Sequence, residues 1–170
     1  TKSAFWMLSP GLTLALASPR NLQRLSYRYE YDFYFNSAAS SSSANRLDYR
    51  GFFDLSPRVT LVLGARATQS DRFNSVAFAA PGTGAVGAVP VGAGSYLDAS
   101  GDQTLGIDVA EGWRAWQSGS LVAATPLLDT EAATTLGAGL RLGAEHSFLF
   151  DALGVEGRAD YTTVSDGVRA

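Results

Sequence analysis

The sequence predicts an all-β protein, an antiparallel meander of about eight strands, and three observations carry this prediction. Apolar and charged residues alternate from Arg24 to Phe35, which sends the two sets to opposite faces of an extended strand. Alternation returns in several later segments, whereas no apolar stripe with helical spacing is evident. None of the prolines lies inside an alternating run, as expected for paired strands, because proline has no amide hydrogen to donate.

Seven of the predicted strands are defined by apolar residues that share one parity. An eighth, shorter strand is predicted near 120–125. In chain order these residues are Leu12, Leu14 and Leu16; Leu25 to Phe35; Leu47, Tyr49, Phe53 and Leu55; Val59 to Ala67; Leu105, Ile107 and Val109; Leu136, Ala138, Leu140 and Leu142; and Leu153, Val155, Ala159 and Tyr161. Glu111 has the same parity as Leu105, so this strand requires a bulge or a membrane boundary near Gly112.

The connections predicted between these strands alternate in length. Short turns are expected at 18–21, 55–58, 116–119 and 145–151. Between them lie a polar stretch at 37–44, a long stretch at 71–101 and a brief link near 126–130. Short turns at one end and variable loops at the other are typical of outer-membrane barrels, where they are periplasmic and extracellular respectively. The segment 71–101 is therefore predicted to be an extracellular loop, which either folds inward to narrow a lumen or extends as coil.

Composition narrows the class of protein. The 170 residues fit one domain, 1–170, and charged residues make up 17%, below the quarter that is usual in soluble domains. Mean hydropathy is +0.02, and no apolar run reaches the eighteen or so residues of a membrane helix. The absence of cysteine excludes disulfides and thiolate metal sites. A net charge of −3 argues against nucleic acid as the main partner.

The two faces of the strands predict two surroundings. A strand with one large aromatic face and one charged face suits a barrel whose outside meets lipid and whose inside is wet. The predicted lipid-facing residues are Leu25, Tyr27, Tyr29, Tyr31, Phe33, Phe35, Leu47, Tyr49, Leu61, Leu63, Leu140 and Leu142. The predicted lumen-lining residues are Arg24, Arg28, Glu30, Asp32, Arg46, Asp48, Arg50, Arg66, Arg141, Glu156, Arg158 and Asp160.

The alternating strands, the aromatic runs and the repeated turns Leu8-Ser9-Pro10 and Leu55-Ser56-Pro57 resemble bacterial outer-membrane β-barrel proteins. More loosely, the succession of strands and turns is similar to that of barrels encoded with exopolysaccharide export systems. The resemblance implies the outer membrane of a Gram-negative bacterium, a lipid bilayer as partner, and a porin-like or export-associated channel or a structural barrel. Family members usually end on an aromatic residue, whereas this sequence ends Val168-Arg169-Ala170, so we expect a piece of a larger barrel. Closure of eight strands by themselves is the alternative.

The charged residues admit two interpretations. They could line a channel for small polar solutes or polysaccharide. The favoured interpretation is structural, a ladder of ion pairs between strands, because signs are mixed within each strand and isolated buried charges are costly.

No catalytic, cofactor-binding or metal-binding residue is predicted. His146 is the single histidine, and its neighbour Ser147 is expected on the opposite face and in a short turn. The tryptophans Trp6, Trp113 and Trp116 are expected to be interface anchors or core aromatics. Two rival classes stay open: a soluble ligand-binding β-barrel with the aromatic face inside, and an outer-membrane enzyme.

Overall fold

A computed structural model of the chain describes residues 5–35, 41–71, 76–79, 86–89, 95–127, 134–148 and 151–165. All regular secondary structure in these ranges is β-strand. The strands are β1 (Phe5–Leu8), β2 (Gly11–Ser18), β3 (Asn21–Tyr34), β4 (Ser42–Ser56), β5 (Val59–Ser70), β6 (Val76–Ala79), β7 (Val86–Val89), β8 (Tyr96–Ala110), β9 (Trp113–Pro126), β10 (Thr134–Ser147) and β11 (Ala152–Ser165). Within the same ranges there is no helix of the length and apolarity that a membrane span needs.

Nine of the strands form one antiparallel sheet in the order β1-β3-β4-β5-β8-β9-β10-β11, and β2 also pairs with β3. Strands β1 and β2 lie on the same side of β3, at its two ends, and are separated by Ser9 and Pro10. The carbonyl of Pro10 accepts a hydrogen bond of 3.0 Å from the amide of Tyr29, so the backbone contact with β3 continues through this break. With β1 and β2 sharing one edge, the predicted meander of about eight strands is confirmed.

The described strands form an open sheet, not a closed barrel. Strand β11 is one edge, and β1 with β2 is the other. Along the meander, β2 and β11 run in opposite directions. The two free edges therefore have the relative direction that antiparallel pairing requires.

Short turns gather at one end of the sheet, as predicted, although one of them is placed wrongly by the sequence. The observed turns are Pro19–Arg20, Pro57–Arg58, Glu111–Gly112 and the link between Ser147 and Ala152. Residues 116–119, predicted as a turn, lie inside β9. The chain reverses earlier because Gly112 adopts a left-handed φ of 73°, which glycine takes without a steric penalty.

Backbone hydrogen bonds join three of the short turns to a strand beyond their own hairpins. The carbonyls of Arg20, Arg58 and Gly112 each accept a bond of 2.8 Å, from the amides of Asp54, Asp108 and Ser147 respectively. The bulge expected near Gly112 is confirmed, since the register between β8 and β9 shifts between Asp108 and Ala110.

The other end carries the longer connections. The loop predicted over 71–101 is shorter than expected, because β8 already begins at Tyr96. Within the predicted loop, β6 and β7 form a separate two-stranded antiparallel sheet. Asp71 closes the end of the β4–β5 pair, because its amide donates to the carbonyl of Ser43 at 3.1 Å and its carboxylate accepts from the hydroxyl of Ser43, also at 3.1 Å.

The sheet has little interior of its own. Among the described residues no side chain is fully buried, and the buried hydrophobic residues are Ala44, Tyr96 and Ala124. A soluble domain normally buries one face of a sheet against a second layer. Here, within the described ranges, the nine-stranded sheet is packed against no second layer, and most of its residues are exposed or half-buried.

Candidate functional site

The register between strands places the predicted lipid-facing strand residues on one face of the sheet. Phe35, which follows β3, contacts the rings of Trp6 and Phe33 on that face. Directly paired residues of antiparallel strands project to the same side, so Leu25 shares a face with Tyr49, and Tyr27 with Leu12 and Leu47. We call this the apolar face. It continues across the sheet through Leu61 and Leu63, Leu140 and Leu142, and the odd-numbered residues of β11 from Leu153 to Tyr161.

The opposite side, the charged face, holds every Asp, Glu and Arg of the nine-stranded sheet. These residues are Arg24, Arg28, Glu30, Asp32, Arg46, Asp48, Arg50, Asp54, Arg66, Asp98, Asp102, Asp108, Arg114, Arg141, Glu145, Glu156, Arg158 and Asp160. All twelve predicted lumen-lining residues are among them. Correspondingly, no described strand residue on the apolar face is acidic, and none is Lys or Arg.

Six members of the charged face are not among the twelve predicted lumen-lining residues: Asp54, Asp98, Asp102, Asp108, Arg114 and Glu145. Asp54 and Asp108 have the polar parity of predicted strands, whereas the other four lie outside the predicted strands. Asp98 lies in the predicted long loop, Arg114 precedes the segment predicted as a strand, and Glu145 lies in a predicted turn. Asp102 lies at the poorly marked start of a strand. Asp98 and Asp102 alternate with Ala99 and Gln103, and this alternation is the sequence signal for the first half of β8. The signal is weak, because alanine and glutamine differ less from aspartate in hydrophobicity than large apolar residues do.

Polar side chains on the apolar face bond to one another. The hydroxyl of Tyr27 donates to Oδ1 of Asn45 at 2.7 Å. The hydroxyl of Tyr49 donates to Oε1 of Gln23 at 3.2 Å. Across β8 and β9, Nε2 of Gln103 donates to Oε1 of Gln117 at 3.0 Å. Such pairing lowers the cost of placing an amide or a phenol where water is scarce.

Aromatic rings gather at the two ends of the apolar face. Toward the long connections, Phe35 meets Trp6 and Phe33 edge to face, with ring centroids 6.2 and 5.3 Å apart. Toward the short turns, His146 lies between Trp113 and Phe148, with centroids 4.6 and 4.5 Å away. Two terminal aromatic zones on one face match the girdles with which membrane barrels meet the headgroup regions.

Side chains on the charged face form several ion pairs. Nε of Arg66 lies 2.6 Å from Oδ1 of Asp48 on the neighbouring strand. Nη1 of Arg50 reaches Oδ2 of Asp102 at 3.2 Å, two strands away. The second pair passes over Gly64, where a Cβ atom would collide with the carboxylate of Asp102. These contacts agree with the ladder interpretation, in which opposite charges on neighbouring strands pair.

The register also places like charges opposite each other, which parity alone does not reveal. Arg24 faces Arg50 and Arg28 faces Arg46 between β3 and β4. Arg141 faces Arg158 between β10 and β11. Directly opposed like charges destabilise a sheet unless something neutralises them. In the third case Arg141 has Glu156 at 3.6 Å, and Arg158 is hydrogen-bonded to Asp160.

His146 is placed differently from the prediction, in β10 and not in a turn. Its ring is in the aromatic zone near Trp113, and its Nδ1 is buried without a hydrogen-bond partner. Ser147 follows on the opposite face by strand alternation, so the pair has no common orientation. Among the described residues, no group of His, Cys, Asp or Glu side chains is arranged to hold a metal ion.

The tryptophans divide between the faces. Trp6 and Trp113 belong to the two aromatic zones of the apolar face. Trp116 instead lies on the charged face, where its indole covers Gly143 of the adjacent strand. Trp116 therefore lies outside the two aromatic zones where an interface anchor is expected, and of the two predicted roles, anchor or core aromatic, only the second is compatible with this position.

Comparisons with known proteins add no assignment: no protein family, no curated protein and no solved structure matches the chain.

Proposed function

We propose that this chain forms all or part of an outer-membrane β-barrel of a Gram-negative bacterium. In this proposal the apolar face contacts the lipid bilayer and the charged face lines a wet interior. The barrel serves as a porin-like or export-associated channel for small polar solutes or polysaccharide, or as a structural barrel. One observation carries the proposal, namely that every charged residue of the nine-stranded sheet lies on a single face.

The cost of charge in a bilayer explains why this separation supports a membrane location. An Arg or Lys on the lipid face of a barrel costs about 2–4 kcal/mol at the bilayer midplane. A solvated face carries no such penalty and ordinarily includes charged residues. Strand length also fits, since the long strands have 12 to 15 residues and a membrane strand needs about 9–11.

A membrane location requires the free edges to be paired, because lipid offers no hydrogen bonds to unpaired backbone groups. Strands β2 and β11 have opposite directions and can pair with each other. They can equally pair with further strands of a larger barrel. Either arrangement keeps the apolar face continuous around the outside.

The soluble rival places the same two faces the other way round. It would bury the apolar face as the interior of a closed barrel and expose the charges to water. The aromatic zones favour the membrane proposal over this rival. The rings contact one another at the two ends of the apolar face, which is where a membrane barrel meets the two headgroup regions.

Cysteine labelling of the full chain, reconstituted in vesicles, tests this proposal. The sequence contains no cysteine, so Leu121→Cys and Val122→Cys each introduce one reporter on adjacent residues of opposite faces. Leu121 is exposed on the apolar face, and Val122 is half-buried on the charged face. We expect a bilayer-soluble maleimide to label position 121 and a water-soluble one to reach only position 122. Labelling from the bilayer at 122 but not at 121 would reverse the faces. Recovery of the folded chain from buffer without detergent, with position 121 protected, would establish the soluble rival.

A further inference from the structure

On β3 and β4, near the β1–β2 edge of the sheet, the charged face contains a group of closely placed cations. We call it the arginine block, and it consists of Arg24, Arg28, Arg46 and Arg50. Two directly opposed pairs, Arg24 with Arg50 and Arg28 with Arg46, are separated by one row in which Asp48 faces Ser26. Opposed residues of antiparallel strands have Cβ atoms about 4.5–5.5 Å apart, so the positive charges are held near one another by the backbone.

One carboxylate beside the block is bound by an arginine outside it, and two others approach members of the block. Asp48, the acidic residue between the two pairs, is bound by Arg66 at 2.6 Å. Asp102 is within 3.2 Å of Arg50, and Glu30 is 3.9 Å from Arg28. Arg50 and Arg28 therefore each have one carboxylate nearby. The contact between Arg28 and Glu30 is the longer of the two.

The other two members of the block have no carboxylate partner among the described residues. Nε of Arg24 donates only to the hydroxyl of Ser26, at 3.3 Å. Arg46 makes no hydrogen bond or ion pair in the part of the chain that the structure describes. In the same row, Asp98 lies beyond Thr68, and its Oδ1 is buried without a hydrogen-bond partner. Asp98 thus leaves the charge of Arg46 uncompensated.

The contrast with the third opposed pair shows that the shortage is local. Arg141 and Arg158 face each other in the same way, yet both are in contact with carboxylates, those of Glu156 and Asp160. The block also remains open to solvent, since the side chains of Arg28 and Arg50 are each 58% exposed. Guanidinium groups bind oxyanions through two parallel N–H donors, which is the strongest form of charge-assisted hydrogen bonding.

We propose that the arginine block binds a multivalent oxyanion, a solute bearing phosphate or carboxylate groups, at the interior surface. The bound anion bridges Arg24 and Arg46 and relieves the repulsion within the two opposed pairs. This inference rests on the proposed function where it assigns the block to the interior of a barrel. It makes that function more specific by naming anionic solutes as what the interior retains or selects.

Calorimetric titration of the full chain, folded in detergent micelles at low ionic strength, tests the binding. Pyrophosphate and citrate are the two probes, and they distinguish phosphate from carboxylate as the preferred group. The test variant is R24Q/R46Q, and the matched control R141Q/R158Q removes two opposed arginines that have carboxylate partners. We expect the test variant to bind the preferred probe at least about tenfold more weakly, and the control to change affinity by less than about twofold.

A third variant, R24K/R46K, keeps the charges and removes the planar forks, so we expect affinity between those of the wild type and R24Q/R46Q. The far-ultraviolet circular dichroism spectrum of each variant checks that it has folded. If the spectrum of R24Q/R46Q differs from that of the wild type, the affinities of R24K/R46K and R46Q are compared with that of the wild type instead. Absence of binding by the wild type, or equal losses in the test and control variants, would overturn the inference.

The outcomes separate this inference from the proposed function. A wild-type chain that labels from the bilayer at position 121 but binds neither probe would refute the anion site alone. A chain that binds pyrophosphate through Arg24 and Arg46 but labels from the bilayer at position 122, and not at 121, would keep the anion site and refute the location.

Discussion

The hairpins β3–β4 and β10–β11 lie in opposite halves of the sheet and build the same two faces from different residues. On the apolar face, β3–β4 carries large rings such as Tyr27 and Tyr49, whose hydroxyls are hydrogen-bonded. The corresponding face of β10 carries Leu140 and Leu142 between alanines. The separation of faces is thus independent of residue size and depends only on the parity of the charged positions.

The charged faces of the two hairpins differ in a second way. Both contain arginines opposed across a strand pair, but only β10–β11 supplies every such arginine with a carboxylate contact. Neutrality is therefore a local property of each hairpin, although the chain as a whole has a net charge of only −3. The comparison predicts that the apolar faces respond alike to a substitution, whereas the hairpins differ in how they respond to loss of a single contact.

The largest effect is expected when a charge is placed on either apolar face. Leu25→Arg and Leu140→Arg should each lower the free energy of unfolding by about 2–4 kcal/mol in a bilayer, because both would move a guanidinium into lipid. Thr104→Arg, on the charged face, is the control and should cost less than about 1 kcal/mol. Unfolding in urea, followed from lipid vesicles, measures all three. Equal costs for Leu25→Arg and Thr104→Arg would mean that the apolar face does not contact lipid.

A smaller effect is expected at Gly143 of β10, where the absence of a side chain leaves room for the indole of Trp116. Gly143→Ala would place a Cβ 2.8 Å from Nε1 of Trp116 and closer still to its ring carbons, so the indole must move. We expect a loss of about 1–3 kcal/mol in the free energy of unfolding, typical of overpacking. Gly157→Ala is the matched control on the neighbouring strand, where a Cβ would meet nothing within 4 Å.

The control should be neutral or slightly stabilising, by up to about 1 kcal/mol, because alanine restricts the unfolded chain. The emission of Trp116, recorded with Trp6 and Trp113 replaced by Phe, reports the movement of the indole directly. Unchanged emission in Gly143→Ala, together with unchanged stability, would show that the indole of Trp116 does not cover Gly143.

Much of the fold was predictable from the sequence where large apolar residues alternate with charged ones. In β3 and β4, parity alone assigns each residue to the correct face. In the first half of β8 this fails, since Asp98 and Ser100 alternate with residues as small as Ala99. In β9 it fails because Trp113 and Trp116 are aromatic but belong to opposite faces, which hides the period.

The candidate site was predictable only in part, for a geometric reason. Parity determines the face on which a residue lies, whereas its partner depends on the register between strands. Register follows from the turns and connections, and a shift of one residue moves every side chain of a strand to the other face. Arg50 pairs with Asp102 across a connection that includes residues 71–95, whose effect on register no local pattern specifies. For the same reason, the sequence does not predict that Arg24 faces Arg50 or that Arg28 faces Arg46.

The smallest effect tests the hydrogen bonds that distinguish the apolar face of β3–β4 from that of β10–β11. Tyr27→Phe removes the hydroxyl that donates to Oδ1 of Asn45 at 2.7 Å, and leaves that amide oxygen without this donor. We expect a loss of about 0.5–1.5 kcal/mol in the free energy of unfolding. Tyr161→Phe on β11 is the control, because its side chain is 67% exposed and its hydroxyl has no hydrogen bond within the described ranges.

The control should change stability by less than about 0.3 kcal/mol, within the usual range for a surface substitution. A double-mutant cycle of Tyr27→Phe with Asn45→Ala then isolates the pair from the rest of the face. A coupling energy near zero would mean that the hydroxyl of Tyr27 has an equally good hydrogen-bond partner elsewhere, such as water. Water is present at the membrane surface and absent from the middle of the bilayer. The bond between Tyr27 and Asn45 would then lie at the membrane surface, and the lipid-covered band would be narrower than the apolar face on which it lies.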